Sequence, residues 1–146
     1  MPRRKKTKRG FATKFPSLLG FGKNQHNLAH GWNKPDGAEA LGKWDRFRAE
    51  QLSYFLRRLS TTRENEGTLL DQTMVLYGSS NSITHNNTNY PLVLAGGDKL
   101  GLKHGAYHRF GSDVPLSNLF ITIANRLGMS GSKFVDSTNE MTEIIS

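Results

Sequence analysis

Cysteine is absent from this chain, proline occurs only 5 times, and the first 14 residues contain no acidic side chain. Without cysteine there are no disulfides, no thiolate zinc ligands and no cysteine nucleophile. No apolar run approaches the roughly 18 residues that a membrane-spanning helix needs. Because no continuous apolar segment follows the basic start, we expect neither a membrane span nor a signal peptide. At 146 residues, the chain has the size of one domain or less.

Several catalytic signatures are missing as well. The sequence has no phosphate-binding P-loop motif, no G-x-S-x-G nucleophile elbow and no pair of carboxylates at a glycosidase spacing. One glycine-rich loop does favour anions. It follows Gly96 and Gly97 and carries Lys103 and Arg109, so its backbone N–H groups and its cations can receive an oxyanion.

The positive charge is concentrated at the start of the chain. Residues 1–14 hold seven of the 20 Lys and Arg residues, whereas residues 15–146 hold thirteen basic against twelve acidic side chains. We therefore predict that residues 1–25 form a basic disordered tail. Exposed cations from Arg3 to Arg9 would bind nucleic acid non-specifically, although a charge run is also typical of a merely solvated tail.

Two helices are predicted from apolar spacing. Asp36 and Glu39 form a capping-box pattern, and the residues after them place apolar side chains three to five positions apart as far as Leu59. Residues 60–62 (Ser-Thr-Thr) are expected to stop this helix, and residues 63–67 to form a polar turn. A second helix is expected over 114–127, capped by Asp113 or Ser112 and followed by a C′ glycine. Its predicted buried stripe comprises Leu116, Leu119, Phe120, Ile123 and Leu127.

Two short apolar runs, 73–77 and 91–95, have the length of strands. Neither run alternates with polar residues, which is typical of strands covered on both faces in α/β proteins. A polar loop, 78–90, connects them, and long polar loops are often functional. Two strands do not make a stable sheet, so the pattern predicts the end of a larger α/β domain.

All five histidines lie outside these elements. His26 and His30 share a four-residue spacing, as do His104 and His108, but the punctuation by glycine and proline argues against a helix at either pair. His85 follows a predicted strand, where ligands often bind in α/β sheets. Hydrogen-bonded or solvated loop histidines are the alternative interpretation.

Four motifs occur in a fixed order along the chain: Trp44-Asp-x-Phe47 with Glu50-Gln, Gly67-Thr-Leu-Leu-Asp71, Asn89-Tyr-Pro-Leu-Val-Leu-Ala-Gly-Gly97 and Pro115-Leu-x-Asn-Leu119. This ordered series resembles the C-terminal part of the bacterial HXXSHH family, a domain of unknown function. The family's name motif falls on His26–Gly31, where Ala29 and Gly31 stand in place of its serine and last histidine. The resemblance assigns residues 26–146 to the C-terminal segment of this α/β domain.

The resemblance also carries expectations about fold and chemistry. It implies the C-terminal portion of an alkaline phosphatase-like three-layer sheet, incomplete on its own, in which a divalent metal (zinc, manganese or calcium) cleaves phosphate or sulfate esters. It implies metal ligands at His26, His30, His85 and His108. Relatives of this kind are exported, which leaves the location of this chain open.

Three functions follow from these observations. The first is a fragment of a metal-dependent phosphatase- or sulfatase-like hydrolase, inactive alone and completed by a missing N-terminal part or by an oligomer. The second is a non-catalytic interaction module or truncated remnant, which needs a partner for an exposed apolar face. The third is nucleic-acid binding through the basic tail.

Overall fold

The computed structural model describes residues 19–22, 24–82 and 85–146, and it combines α-helices with two small antiparallel sheets. The predicted tail lies largely outside these ranges, as do all the residues from Arg3 to Arg9. The chain divides into two units, residues 1–54 and 55–146. Among the described helices, none is long and apolar enough to cross a membrane.

The first unit begins with a short helix, α1, which spans Gln25–His30. The side chain of Asn24 caps it by accepting a 2.9 Å hydrogen bond from the backbone N–H of Asn27. Leu28 is its one buried residue. The sequence predicted a loop here, and that prediction is wrong because a six-residue helix with a single buried side chain has no apolar period to detect.

Helix α2 spans Gly37–Thr61 and confirms the predicted amphipathic helix. Its start differs from the prediction, because Asp36 has a left-handed φ of 59° instead of the extended conformation of a capping residue. Glu39 pairs with Lys43 at 2.5 Å. The predicted capping box is therefore wrong.

The predicted stop of α2 at residues 60–62 is confirmed. Three consecutive hydroxyls turn back onto the last turn: Ser60 and Thr61 donate to the carbonyl of Arg57 at 3.0 and 2.8 Å, and Thr62 donates to that of Arg58 at 2.7 Å. These hydroxyls compete with backbone N–H groups for the carbonyls of the last turn, and this competition favours the end of the helix here.

Residues 63–67, predicted as a polar turn, take part in a small hairpin. Strand β1, Arg63–Glu64, pairs antiparallel with β2, Gly67–Thr68. Asn65 takes a φ of 50° in the connection, a conformation that asparagine tolerates well.

Strands β3, Val75–Gly78, and β4, Leu92–Ala95, fall on the two predicted apolar runs. They form an antiparallel pair in which Val75 lies opposite Ala95. Leu76 is 38% exposed and Val93 48% exposed. The expectation that both faces are covered is therefore wrong, because this two-stranded sheet has protein over only part of its surface.

Helix α3 spans Ser117–Arg126, within the range predicted for it, and Gly128 follows it with the left-handed φ of 80° expected of a C′ residue. No side-chain cap bond forms at its N-terminus, so the predicted cap by Asp113 or Ser112 is wrong. The predicted buried stripe is wrong in part, because Phe120 and Leu127 are exposed. The buried residues of the helix are Ser117, Asn118, Leu119, Ile121 and Thr122.

The core of the second unit is small. Leu119 of α3 packs with two residues near the C-terminus, Met141 and Ile144, and Leu92 and Leu94 of β4 lie against this cluster. The chain after α3 thus returns to cover the helix and the strand. Apart from a 3₁₀ turn at Thr142–Ile144, it does so without regular structure.

Candidate functional site

The two histidines of α1 form the closest pair of candidate ligands. His26 and His30 lie one helical turn apart, and their ring centroids are 4.4 Å from each other with the planes at 60°. Both residues are exposed, whereas Leu28 is buried. Because α1 is a helix, the four-residue spacing does place both rings on one face, which is the arrangement that chelates a metal ion.

The backbone next to α1 is unusually close to the start of α2. A Cβ atom at Gly37 would stand only 1.8 Å from the carbonyl oxygen of Gly31. Only glycine fits at position 37, and this close approach determines how the chain turns after His30. The glycine at position 31 also ends α1, since its N–H donates to the carbonyl of Leu28.

His85 lies in the loop after β3, with a left-handed φ of 60° and an exposed side chain. Its neighbour Asn86 organises the turn: its carbonyl accepts from the Ser82 N–H at 2.8 Å, and its side-chain oxygen accepts from the Thr88 hydroxyl at 2.7 Å. The asparagine therefore has an ordinary turn function. Ile83 and Thr84 lie outside the described residues.

His104 and His108 make unrelated contacts. The Nε2 atom of His104 lies 2.7 Å from the carbonyl oxygen of Gly96 and 3.4 Å from a carboxylate oxygen of Asp98. The ring of His108 stacks on Phe110, with centroids 6.1 Å apart. These two histidines are not in a helix, as predicted, and their equal spacing does not make them a pair.

The structure therefore brings only two of the four predicted ligands close together. The structure brings His26 and His30 together in the first unit, while His85 and His108 belong to the second. In the described ranges, no three or more His, Asp or Glu side chains form a group suited to a metal ion. Zinc takes four ligands in structural sites, and the α1 pair fits two of those positions.

Asp71 ends one of the blocks that carry the family resemblance, and in the structure its carboxylate organises a turn. Its carboxylate accepts a 2.6 Å hydrogen bond from the Thr68 N–H, which lowers the pKa of the carboxyl, and the positive charges of Lys99 and Arg63 lower it further. A Cβ atom at Gly67 would lie 2.6 Å from this carboxylate. The Gly67–Asp71 motif thus closes a turn.

A polar face on α3 was missed. Asn118 accepts from the Thr138 N–H at 2.8 Å and donates to the Thr138 hydroxyl at 3.1 Å. The fully buried Thr122 donates to the Asn118 carbonyl at 2.7 Å and accepts from the Met141 N–H at 2.8 Å. The sequence does place polar residues at positions 118, 122 and 125, three and four residues apart and so on one side of the helix. That spacing does not show that this side is buried.

Comparison with known proteins adds nothing to this picture: no family model, no curated protein and no solved structure matches the chain.

Proposed function

We propose that this chain binds a divalent transition metal through His26 and His30, as part of a metal-assisted hydrolase that acts on phosphate or sulfate esters. The observation that carries the proposal is the pair of exposed imidazoles one turn apart on α1, with centroids 4.4 Å from each other. A metal held there would activate a water molecule and neutralise developing negative charge. His26 and His30 would act as neutral nitrogen ligands.

The two imidazole ligands narrow the choice of metal ion. Imidazole nitrogen suits zinc, copper and nickel, whereas calcium takes oxygen ligands. Of the three metals that the sequence resemblance implies, zinc therefore fits the pair best, manganese less well and calcium least. The resemblance would complete the ligand set with His85 and His108, and it would place β3 and β4 in an alkaline phosphatase-like three-layer sheet.

Titration calorimetry of the metal-free chain tests the proposal. We expect zinc to bind more tightly than manganese and calcium, and His26→Gln and His30→Gln each to weaken zinc binding about tenfold or more, because one ligand of a chelating pair is lost. His104→Gln is the matched control and should leave the affinity unchanged. Equal zinc affinity in the wild type and both pair variants would refute the proposal.

The ligand set and the reaction class need separate measurements. If His85 and His108 complete the site, His85→Gln and His108→Gln should also weaken zinc binding. Nitrophenyl phosphate and sulfate test the reaction class. Because the fragment is expected to be inactive alone, the zinc-loaded chain should show no turnover by itself, and any turnover that it does show should disappear in the His26→Gln variant. Turnover that persists in that variant would show that the pair has no part in it.

A second candidate, an interaction module, is favoured by an exposed apolar surface in the second unit. The rings of Phe120 and Phe134 make an edge-to-face contact with centroids 6.0 Å apart, and Leu127 is the C-cap residue of α3. All three are exposed, and Val135, which follows Phe134 in sequence, is 76% exposed. Contiguous apolar patches of this kind often mark interaction sites.

The occupant that we propose for this surface is a second copy of the chain, because an oligomer is among the partners expected from the sequence and a two-fold pairing needs only the same patch on both copies. Sedimentation velocity should then show a dimer that Phe134→Ser converts to a monomer, while Tyr107→Ser, an exposed aromatic in another loop, leaves it intact. A monomer at every concentration would remove this candidate.

A further inference from the structure

We infer that the segment Lys103–Arg109 is a binding site for single-stranded nucleic acid, separate from the α1 histidines and from the basic start of the chain. The segment belongs to the second unit and lies, in sequence, between strand β4 and helix α3. The bases would stack on Tyr107, and the phosphates would contact Arg109 and Lys103.

The first argument is the alternation of side chains along this segment. Tyr107 and Arg109 are exposed, whereas His108 and Phe110 are half-buried. Phe110 packs against the core and His108 stacks on its ring. Exposed and half-buried residues therefore alternate over 107–110, so Tyr107 and Arg109 both face solvent, and their Cα atoms are at most about 7 Å apart.

The second argument is the exposure of Tyr107. Tyr107 is 88% exposed, the highest value among the exposed large hydrophobic residues of the described ranges. A ring so open contributes nothing to the core, and it presents a flat face on which a nucleobase can stack. Sequence-tolerant stacking of this kind is typical of proteins that bind single strands.

The third argument is the charge beside the ring. Lys103 and Arg109 are exposed, and within the described residues neither has a carboxylate within 4.0 Å. By contrast, Arg126 in the same unit lies 3.7 Å from Glu140. The acidic residue nearest in sequence on the N-terminal side, Asp98, lies 3.4 Å from His104. The two cations are therefore available to phosphate.

Two contacts hold the start of the segment. The Lys103 N–H donates to the carbonyl of Ile144 at 2.8 Å, and His104 Nε2 lies 2.7 Å from the Gly96 carbonyl oxygen. The only other residues between His104 and Tyr107 are Gly105 and Ala106, which offer no apolar anchor to a bilayer. That composition favours nucleic acid over a membrane surface as the partner.

Fluorescence anisotropy with labelled oligo(dT) of about 15 nucleotides tests the inference on the full chain over a range of salt concentrations. Stacking depends little on salt, whereas phosphate contacts release counterions. We expect Tyr107→Leu to weaken binding about five- to 150-fold at every salt concentration, and Tyr107→Phe to restore most of it. Arg109→Gln should reduce the magnitude of the salt slope by about 0.7.

Three controls separate this site from another exposed cation of the same unit and from other partners. Lys133→Gln, an exposed lysine in another loop of the same unit, should change neither affinity nor slope. Inorganic polyphosphate, which has no bases, should bind Tyr107→Leu and wild type equally, and phosphatidylserine vesicles should show no dependence on Tyr107. Wild-type affinity of Tyr107→Leu for oligo(dT), equal losses for polyphosphate, or Tyr107-dependent vesicle binding would each overturn the inference.

Discussion

Helices α2 and α3 are stabilised in opposite ways. Trp44 is the one buried residue among the 25 of α2, whereas five of the ten residues of α3 are buried. Helix α2 is supported by contacts within itself, such as the Arg46–Glu50 pair at 2.9 Å and the hydroxyls at its C-terminus. Helix α3 is supported by the chain that returns over it, about 20 residues later in sequence.

The difference shows where mutations should matter. Exposed ion pairs contribute little to stability, and α2 has only one buried residue. Single substitutions along most of α2 should therefore change the stability little. Helix α3 depends on a few buried polar bonds, and an unsatisfied buried group costs more than the bond itself contributes. The predictions below test this contrast, from the largest expected effect to the smallest.

The largest effect is expected from Asn118→Ala. Asn118 is buried and makes two part-buried hydrogen bonds to Thr138, accepting from its N–H and donating to its hydroxyl, so its removal loses both bonds and a buried side chain. We expect a loss of about 2–4 kcal/mol in the free energy of unfolding, measured by urea denaturation and far-UV circular dichroism. Asn87→Ala, at an exposed loop position, is the control. Similar stability of the two variants would contradict the dependence of α3 on its polar face.

The next effect concerns Gly37, the crowded one of the two glycines in α2. Gly37→Ala should destabilise the first unit by about 1–3 kcal/mol, because its Cβ would meet the Gly31 carbonyl at 1.8 Å. Gly42→Ala on the same helix, with open space around it, should instead stabilise by up to about 1 kcal/mol.

Tryptophan fluorescence follows the first unit specifically, because both tryptophans of the chain, Trp32 and Trp44, lie there. When urea denaturation is followed by this signal, the midpoint should fall for Gly37→Ala and rise for Gly42→Ala. Equal midpoints would mean that the approach of Gly31 to Gly37 contributes nothing to stability.

A smaller, favourable effect is expected at Val135. This β-branched residue has a φ of 53° and is largely exposed, so it is strained without gaining burial. Asparagine tolerates the left-handed region, and Val135→Asn should stabilise the second unit by about 1 kcal/mol. Thermal unfolding by circular dichroism measures the change. A lower melting temperature would indicate that Val135 makes a stabilising contact.

The smallest effect is a pH dependence at Asp71. The hydrogen bond from Thr68 lowers the pKa of this carboxyl in the folded chain. Its contribution is therefore fully present above the unfolded pKa of about 3.9 and is lost as the pH falls through the lower folded value. The difference in melting temperature between wild type and Asp71→Asn should shrink below about pH 4. A difference that grows on acidification would contradict the assignment.

Prediction from sequence succeeded where the signal was local and repeated. The apolar spacing of α2 extends over many turns, and its stop at residues 60–62 depends on hydroxyls that reach back only three or four residues. The strand runs around Val75 and Leu92 were likewise found. Prediction failed for α1, which is too short for a period, and consequently for the geometry of His26 and His30.

The candidate sites divide in the same way. The sequence identified His26 and His30 by their spacing and the loop with Lys103 and Arg109 by its charge. It did not show that the first pair shares a helix face, nor that Tyr107 stands on the solvent side of its segment. Those facts depend on the backbone conformation of each segment, which sets where each side chain points.

By itself, the sequence determined the type and order of the long elements, because helix periodicity and apolar strand runs are encoded within each segment. Only the tertiary structure decided which side of α3 is buried and how β3 meets β4. Burial is assigned by whatever part of the chain returns to cover a surface, and here that cover comes from residues 134–145, bonded through Asn118 and Thr122. No pattern within α3 alone contains that information.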